Sequence, residues 1–156
     1  MLRTGFMVVL ALALPGMAQA QPRKAPQFVP LLERACLPVM KGGTVAAAVE
    51  NARPLAFAPL ARNATMVTVQ RDETFAVTFG PRSCNASLAY ADPNFFLAVE
   101  TELRAWLPRL GRYWAGQIER DGGGLLYRRY RAGGFTWALE EQVDEHSRRL
   151  NLMVSP

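Results

Sequence analysis

The run Tyr127-Arg128-Arg129-Tyr130-Arg131 sets three guanidinium groups among two phenol rings, and Tyr113-Trp114 stands shortly before it. A guanidinium presents a planar fork of N–H donors that fits carboxylates, sulfates and phosphates, and an aromatic ring gives it or a sugar a flat face to stack on. The chemistry such residues offer is recognition of anionic groups, not bond breaking. In an extended chain, alternation places Tyr127, Arg129 and Arg131 on one face and Arg128 and Tyr130 on the other. The same pattern also arises with no ligand, when arginines coat a wet sheet face and tyrosines pack their rings. The candidate binding residues are therefore Trp114, Tyr127, Arg128, Arg129, Tyr130 and Arg131.

No catalytic residues are assigned. His146 is the only histidine, and Asp144-Glu145-His146-Ser147 places acid, base and nucleophile side by side. Neighbours in sequence rarely point at one another, and working triads gather from distant positions. The run reads as a solvated turn. Asp121, Glu119, Glu140 and Glu141 fall on adjacent expected strands and could pair as glycosidase carboxylates, as could the acids of almost any β-rich surface. A metal site is not expected, because one histidine and two cysteines supply too few soft ligands. Gly122-Gly123-Gly124 lacks the lysine and following helix of a phosphate loop and reads as a turn, and no cofactor is implied.

Elements that would position these residues follow from periodicity. Phe28, Leu31, Leu32, Cys36 and Met40 recur at helical spacing, with Pro38 expected to kink or end the run. Thr44 is a suitable N-cap for a second helix that stops before Pro54, and 54–59 reads as an irregular apolar connector. Alternation then marks strands at Met66–Gln70, Phe75–Phe79 and Cys84–Tyr90. Asp92-Pro93 opens an amphipathic helix carrying Phe96, Val99, Leu103, Trp106 and Leu110, with Glu100, Glu102 and Arg104 placed largely off that stripe. Four more strands are expected at 112–120, 125–131, 135–143 and 148–154. The predicted class is α+β: a meandering antiparallel sheet of six to seven strands, with N-terminal helices and one central amphipathic helix.

The start of the chain has the three parts of an export signal: basic Arg3, an apolar core from Phe6 to Leu14, and small residues at Ala18-Gln19-Ala20. Residues 1–20 are expected to be a signal peptide, 21–27 a disordered leader and 28–156 one domain. The apolar core is about half the roughly 20 residues that a membrane span needs, so no transmembrane segment is expected after cleavage. Cys36 and Cys84 form an even pair, which an oxidising compartment joins. Closing that loop stabilises a fold by about 4 kcal/mol in the chain-entropy account. The net charge of +5 falls by one when Arg3 leaves with the signal, and arginine outnumbers lysine 16 to 2. So small an excess favours anionic surfaces or polymers weakly and does not mark a nucleic-acid binder.

The helix motif Leu32-Glu33-Arg34-Ala35-Cys36-Leu37, the strand motif Arg82-Ser83-Cys84-Asn85-Ala86 and the helix start Asp92-Pro93 together resemble small uncharacterised exported proteins of GC-rich Gram-negative bacteria. The resemblance covers roughly residues 28 to 107. It implies a periplasmic location and a shared fold, and carries no functional residues. The expectation is a periplasmic or secreted non-enzymatic protein that binds another envelope protein or an anionic polymer. The rival expectation is a hydrolase acting on cell-wall or extracellular polymer.

Overall fold

The apolar stripe that begins at Phe28 forms helix α1 over 28–40, in which Phe28, Leu31, Leu32, Ala35, Cys36, Val39 and Met40 are buried. The structure is a computed structural model that describes residues 28–90, 92, 94–120, 125–143 and 147–156. The expected signal peptide and leader lie outside the described residues, as do Gly122–Gly124 and the Asp144-Glu145-His146 run. Pro38 does not end α1. The turn before it, Leu32–Cys36, is wound as a π-helix, with the Leu37 N–H donating to the Leu32 carbonyl. That wider turn accommodates the proline ring where a regular helix would set it against the preceding carbonyl. Gly42, at φ +95°, then takes the left-handed conformation that closes the helix.

Helix α2, Val45–Ala52, starts as expected: Thr44 Oγ1 accepts the Ala47 N–H at 3.1 Å. The stretch expected to be an irregular connector instead holds a 3₁₀ turn, Arg53–Leu55, the buried Phe57, and strand β1, Ala58–Arg62. All five residues of β1 are exposed, so it shows no alternation that a sequence pattern could register. Strands β2 (Val67–Asp72), β3 (Phe75–Gly80) and β4 (Ser83–Tyr90) follow, antiparallel to one another. The turn between β2 and β3 is tied by Asp72, whose carboxylate accepts the N–H and hydroxyl of Thr74 and the N–H of Phe75. These bonds, the Thr74 hydroxyl first, hold the Asp72 carboxyl below its usual pKa.

Helix α3, Phe95–Trp106, begins two residues beyond the Asp92-Pro93 start, after Asp92 Oδ1 accepts the Asn94 N–H at 2.9 Å. The strand expected at 112–120 is two short pieces, β5 (Tyr113–Ala115) and β6 (Glu119–Arg120). Both pair with β7, Leu126–Ala132. Strands β8 (Phe135–Val143) and β9 (Arg148–Ser155) complete the set. The sheet order is β1-β2-β3-β4-β9-β8-β7-β5, with β6 also on β7. The topology is therefore two meanders, not one. After β4 the chain leaves through α3, resumes at the far edge, and returns until β9 lies against β4. The nine strands among the described residues exceed the expected six to seven, because β1 and the division into β5 and β6 left no periodic signal.

The described buried residues form one core, with the helices on one face of the sheet. Phe75 receives Phe28 from α1 and Phe57 at ring separations of 5.1 and 5.0 Å, and Trp106 of α3 meets Trp137 edge-on at 5.4 Å. Each such side chain stabilises the fold by roughly 1.5–3 kcal/mol through the area it removes from water. Cys36 and Cys84 are joined by a disulfide across a Cα separation of 5.5 Å, which fastens α1 to β4 as the alternation of β4 implies. Edge strand β1 carries Pro59 and a register shift between Pro59 and Ala61, features that blunt an edge against pairing with other chains. Among the described residues no helix is long and apolar enough to cross a membrane.

Candidate functional site

The six sequence-predicted binding residues do not form one surface, because β7 divides them between the two faces of the sheet. Arg128 and Tyr130 point inward, beneath α3. Glu100 of that helix is 6% exposed, and its Oε1 accepts Arg128 Nη1 at 2.5 Å and lies 3.4 Å from the Tyr130 hydroxyl. Arg104 approaches the same oxygen at 3.8 Å, and the Arg128 guanidinium lies over the Tyr130 ring at 5.6 Å. Burial, then the nearby Glu100 charge, pushes the Tyr130 pKa up. These groups are committed to one another. They hold α3 on the sheet and are withdrawn from the candidate surface.

A second inward cluster lies where β4, β8 and β9 meet. The Tyr90 hydroxyl donates to buried Glu141, which also takes Arg148 Nη1 at 3.2 Å, and the Tyr90 ring lies 4.7 Å from Phe95. Burial and the bond to Glu141 raise the Tyr90 pKa. Glu100, expected to lie largely off the apolar stripe, is on it and buried, and Glu141 was likewise not singled out as buried, although both carry the signal. Glu100 sits four residues after Phe96 on the apolar stripe, and Glu141 shares the parity of Trp137 and Leu139.

Tyr127, Arg129, Arg131 and Trp114 share the opposite, open face. The Arg129 guanidinium lies 5.7 Å from the Tyr127 ring, and that of Arg131 lies 6.0 Å from the Trp114 ring. The Tyr127 hydroxyl donates to Glu119. Trp114 is 54% exposed, whereas Trp106 and Trp137 are buried. The indole is laid down by a missing side chain: a Cβ on Gly116 would come within 3.1 Å of Trp114 Cη2 and 3.3 Å of the Arg129 carbonyl. The Gly116 N–H donates to that carbonyl at 2.8 Å, which keeps the strand close while the ring passes over it.

Trp114 and Arg131, with Arg112, Phe135 and Thr136, line a groove of about 600 Å³ at the β5 end of the sheet. No family model matches this chain, and no curated protein matches it. The site must therefore be read from its own geometry. Among the described residues no carboxylate pairs with Arg112, Arg129 or Arg131, while other arginines, such as Arg53 with Glu50 at 3.2 Å, are paired. A guanidinium left without a carboxylate beside an exposed indole keeps its full capacity for an incoming anion. Sequence reasoning found Trp114 and Arg131 but missed Arg112, Thr136 and Gly116, whose part depends on how β5 is paired.

Another groove, of about 480 Å³, runs between α2 and the β1–β2 hairpin, with Val49, Leu60 and Met66 among its lining. Its lining is mixed polar and apolar, Arg53 there is occupied by Glu50, and among the described lining residues no aromatic ring stands beside Arg62 for a ligand to stack on. Of the carboxylates considered for glycoside hydrolysis, Glu140 faces outward and Glu141 inward, and Asp121 lies outside the described residues. Glu119 and Glu140 stand on either side of Tyr127 in one cross-strand row. Neither lines either groove.

Proposed function

We propose that the protein is exported and works without catalysis, binding an anionic component of the cell envelope at the open face of its sheet. The observation that carries this is the β5–β7 groove, where Arg131 and Arg112 stand beside an exposed indole with no carboxylate of their own among the described residues. A periplasmic or secreted location is supported by the apolar amino-terminal run and by the joined Cys36 and Cys84. Cell fractionation that recovers the product in the cytosol would remove that part.

Binding is tested by co-sedimentation of the purified protein with envelope material, comparing the natural chain with Arg129→Ala/Arg131→Ala. Both side chains are exposed, so the variant is expected to keep its thermal midpoint. Rim cations of this kind are worth about 1 kcal/mol each, so losing two should lower binding roughly thirtyfold, and added salt should weaken it further. Unaltered binding by the variant overturns the proposal. The rival hydrolase reading draws on Glu119 and Glu140, and polymer cleavage lost in Glu140→Gln would favour it.

A further inference from the structure

We propose that the ligand of the Trp114–Arg131 groove is an anionic polysaccharide, which leaves the groove and crosses the open sheet face from β5 toward β4. This rests on the binding reading above and adds the class of ligand and its path. The register lays out what such a chain would meet. Trp114 is opposite Arg131, Arg131 opposite Thr136, and Thr136 opposite Ser155. The adjacent row runs Arg129, Ala138, Met153, Asn85, Thr78 and Thr68. Thr68 and Thr78 already join their hydroxyls at 2.9 Å.

The chemistry of the face therefore changes along the path, from cation and indole at β5 and β7, past Thr136 and Ser155 in one row and Ala138 and Met153 in the other, to amide and hydroxyl at Asn85, Thr78 and Thr68. A single-stranded nucleic acid asks for cations and stacking rings repeated along its track, and here both stop at β7. An anionic lipid asks for a continuous apolar area beside the cations, and the next strands offer only Ala138 and Met153 in one row, flanked by Thr136, Ser155 and Asn85. An acidic sugar chain asks for what is present: a ring to stack on, guanidiniums for its acid groups, then hydroxyl and amide partners for its hydroxyls. Glu119 and Glu140 flank Tyr127 in the row beyond Arg129 and repel acid groups there, which confines the chain to the Arg129 and Arg131 rows. Four strand spacings separate β5 from β4, about 19 Å at roughly 4.8 Å each, enough for several sugar units.

Calorimetric titration with oligogalacturonates from monomer to hexamer tests this, on the natural chain, Arg131→Ala and Asn85→Glu. Asn85 is exposed, so Asn85→Glu alters charge at the far end of the path without disturbing the core. For the natural chain, affinity should rise about tenfold from monomer to tetramer as more of the face is engaged. Asn85→Glu should bind the monomer normally and lose that gain, and Arg131→Ala should lose both. No gain with length, or a gain that survives Asn85→Glu, overturns the path and leaves the groove standing. Monomer binding that survives Arg131→Ala, or no binding of any oligomer, overturns the groove as the galacturonate site and the path with it. Tighter binding of oligothymidylate, or of phosphatidylglycerol vesicles, than of any oligogalacturonate overturns the choice of ligand class.

Discussion

Arg128 shows how much a residue's role depends on which way it points. One position away, Arg129 is exposed and can be removed at little cost to folding, whereas Arg128 neutralises Glu100 in a place water barely reaches. Taking away one partner of a buried pair typically costs about 3–5 kcal/mol, because the other charge is left stranded. Arg104, 3.8 Å from the same oxygen, offsets part of this, so Arg128→Ala is expected near the lower end of that range by denaturant unfolding. Arg129→Ala should lie within about 0.5 kcal/mol of the natural chain. Equal effects from the two substitutions would contradict the assignment of faces. The two inward phenols, Tyr130 buried and Tyr90 partly so, make a second test. Tyr90 and Tyr130 both have raised pKa values in the folded protein, so the folded state favours their neutral form. Their stabilising contribution is whole below the unfolded value near ~10 and is lost as pH rises past it. An absorbance titration should find that Tyr90→Phe and Tyr130→Phe each remove a phenol that ionises only on alkaline unfolding. If either ionises near pH ~10 while the protein is folded, the buried clusters are wrong.

At the scale of elements, the disulfide is the tie between the helical layer and the sheet. Cys36 and Cys84 are both buried, and their bond closes a sequence separation of 48 residues. Replacing both with alanine should lower stability by about 4 kcal/mol, and mild reductant should leave the native bond intact until the fold opens. Free thiols in the native protein would contradict this. The joint itself was legible in the sequence, since helical spacing put Cys36 on the apolar stripe and alternation put Cys84 inward. Strands β2, β3, β4, β7, β8 and β9 were legible for the same reason: one face is buried, so the period shows. Strand β1 was not, because an edge strand exposed along its whole length has no buried face to leave a pattern. Pro38 was expected to kink or end the first helix; the helix continues through it, and the turn before it widens to a π-turn. The partnership of β4 with β9 was equally hidden, because nothing in either strand's pattern names its neighbour.

Across the whole molecule, helices cover one face of the sheet and leave the other for contact. The inward side is settled: its charges are paired around Glu100 and Glu141, and its aromatic rings fill the core. The outward side is uneven: cationic and aromatic at β5 and β7, mixed polar and apolar along the Arg129 and Arg131 rows toward β4, with Glu140 and Arg149 lying off those rows. Half of the candidate site was legible as a sequence run, because Arg129 and Arg131 alternate outward with Tyr127. The groove was not, since it needs Trp114 brought opposite Arg131 by the pairing of β5, with Gly116 leaving room for the ring. Trp114 is also the only one of the three tryptophans that solvent reaches, which makes it a reporter for the site. The most direct measurement is quenching of tryptophan fluorescence by a neutral solute, with and without saturating oligogalacturonate. Binding at this groove should shield the single accessible tryptophan, and the shielding should vanish in Trp114→Phe. Saturation that leaves Trp114 as open to quencher as before would contradict the account.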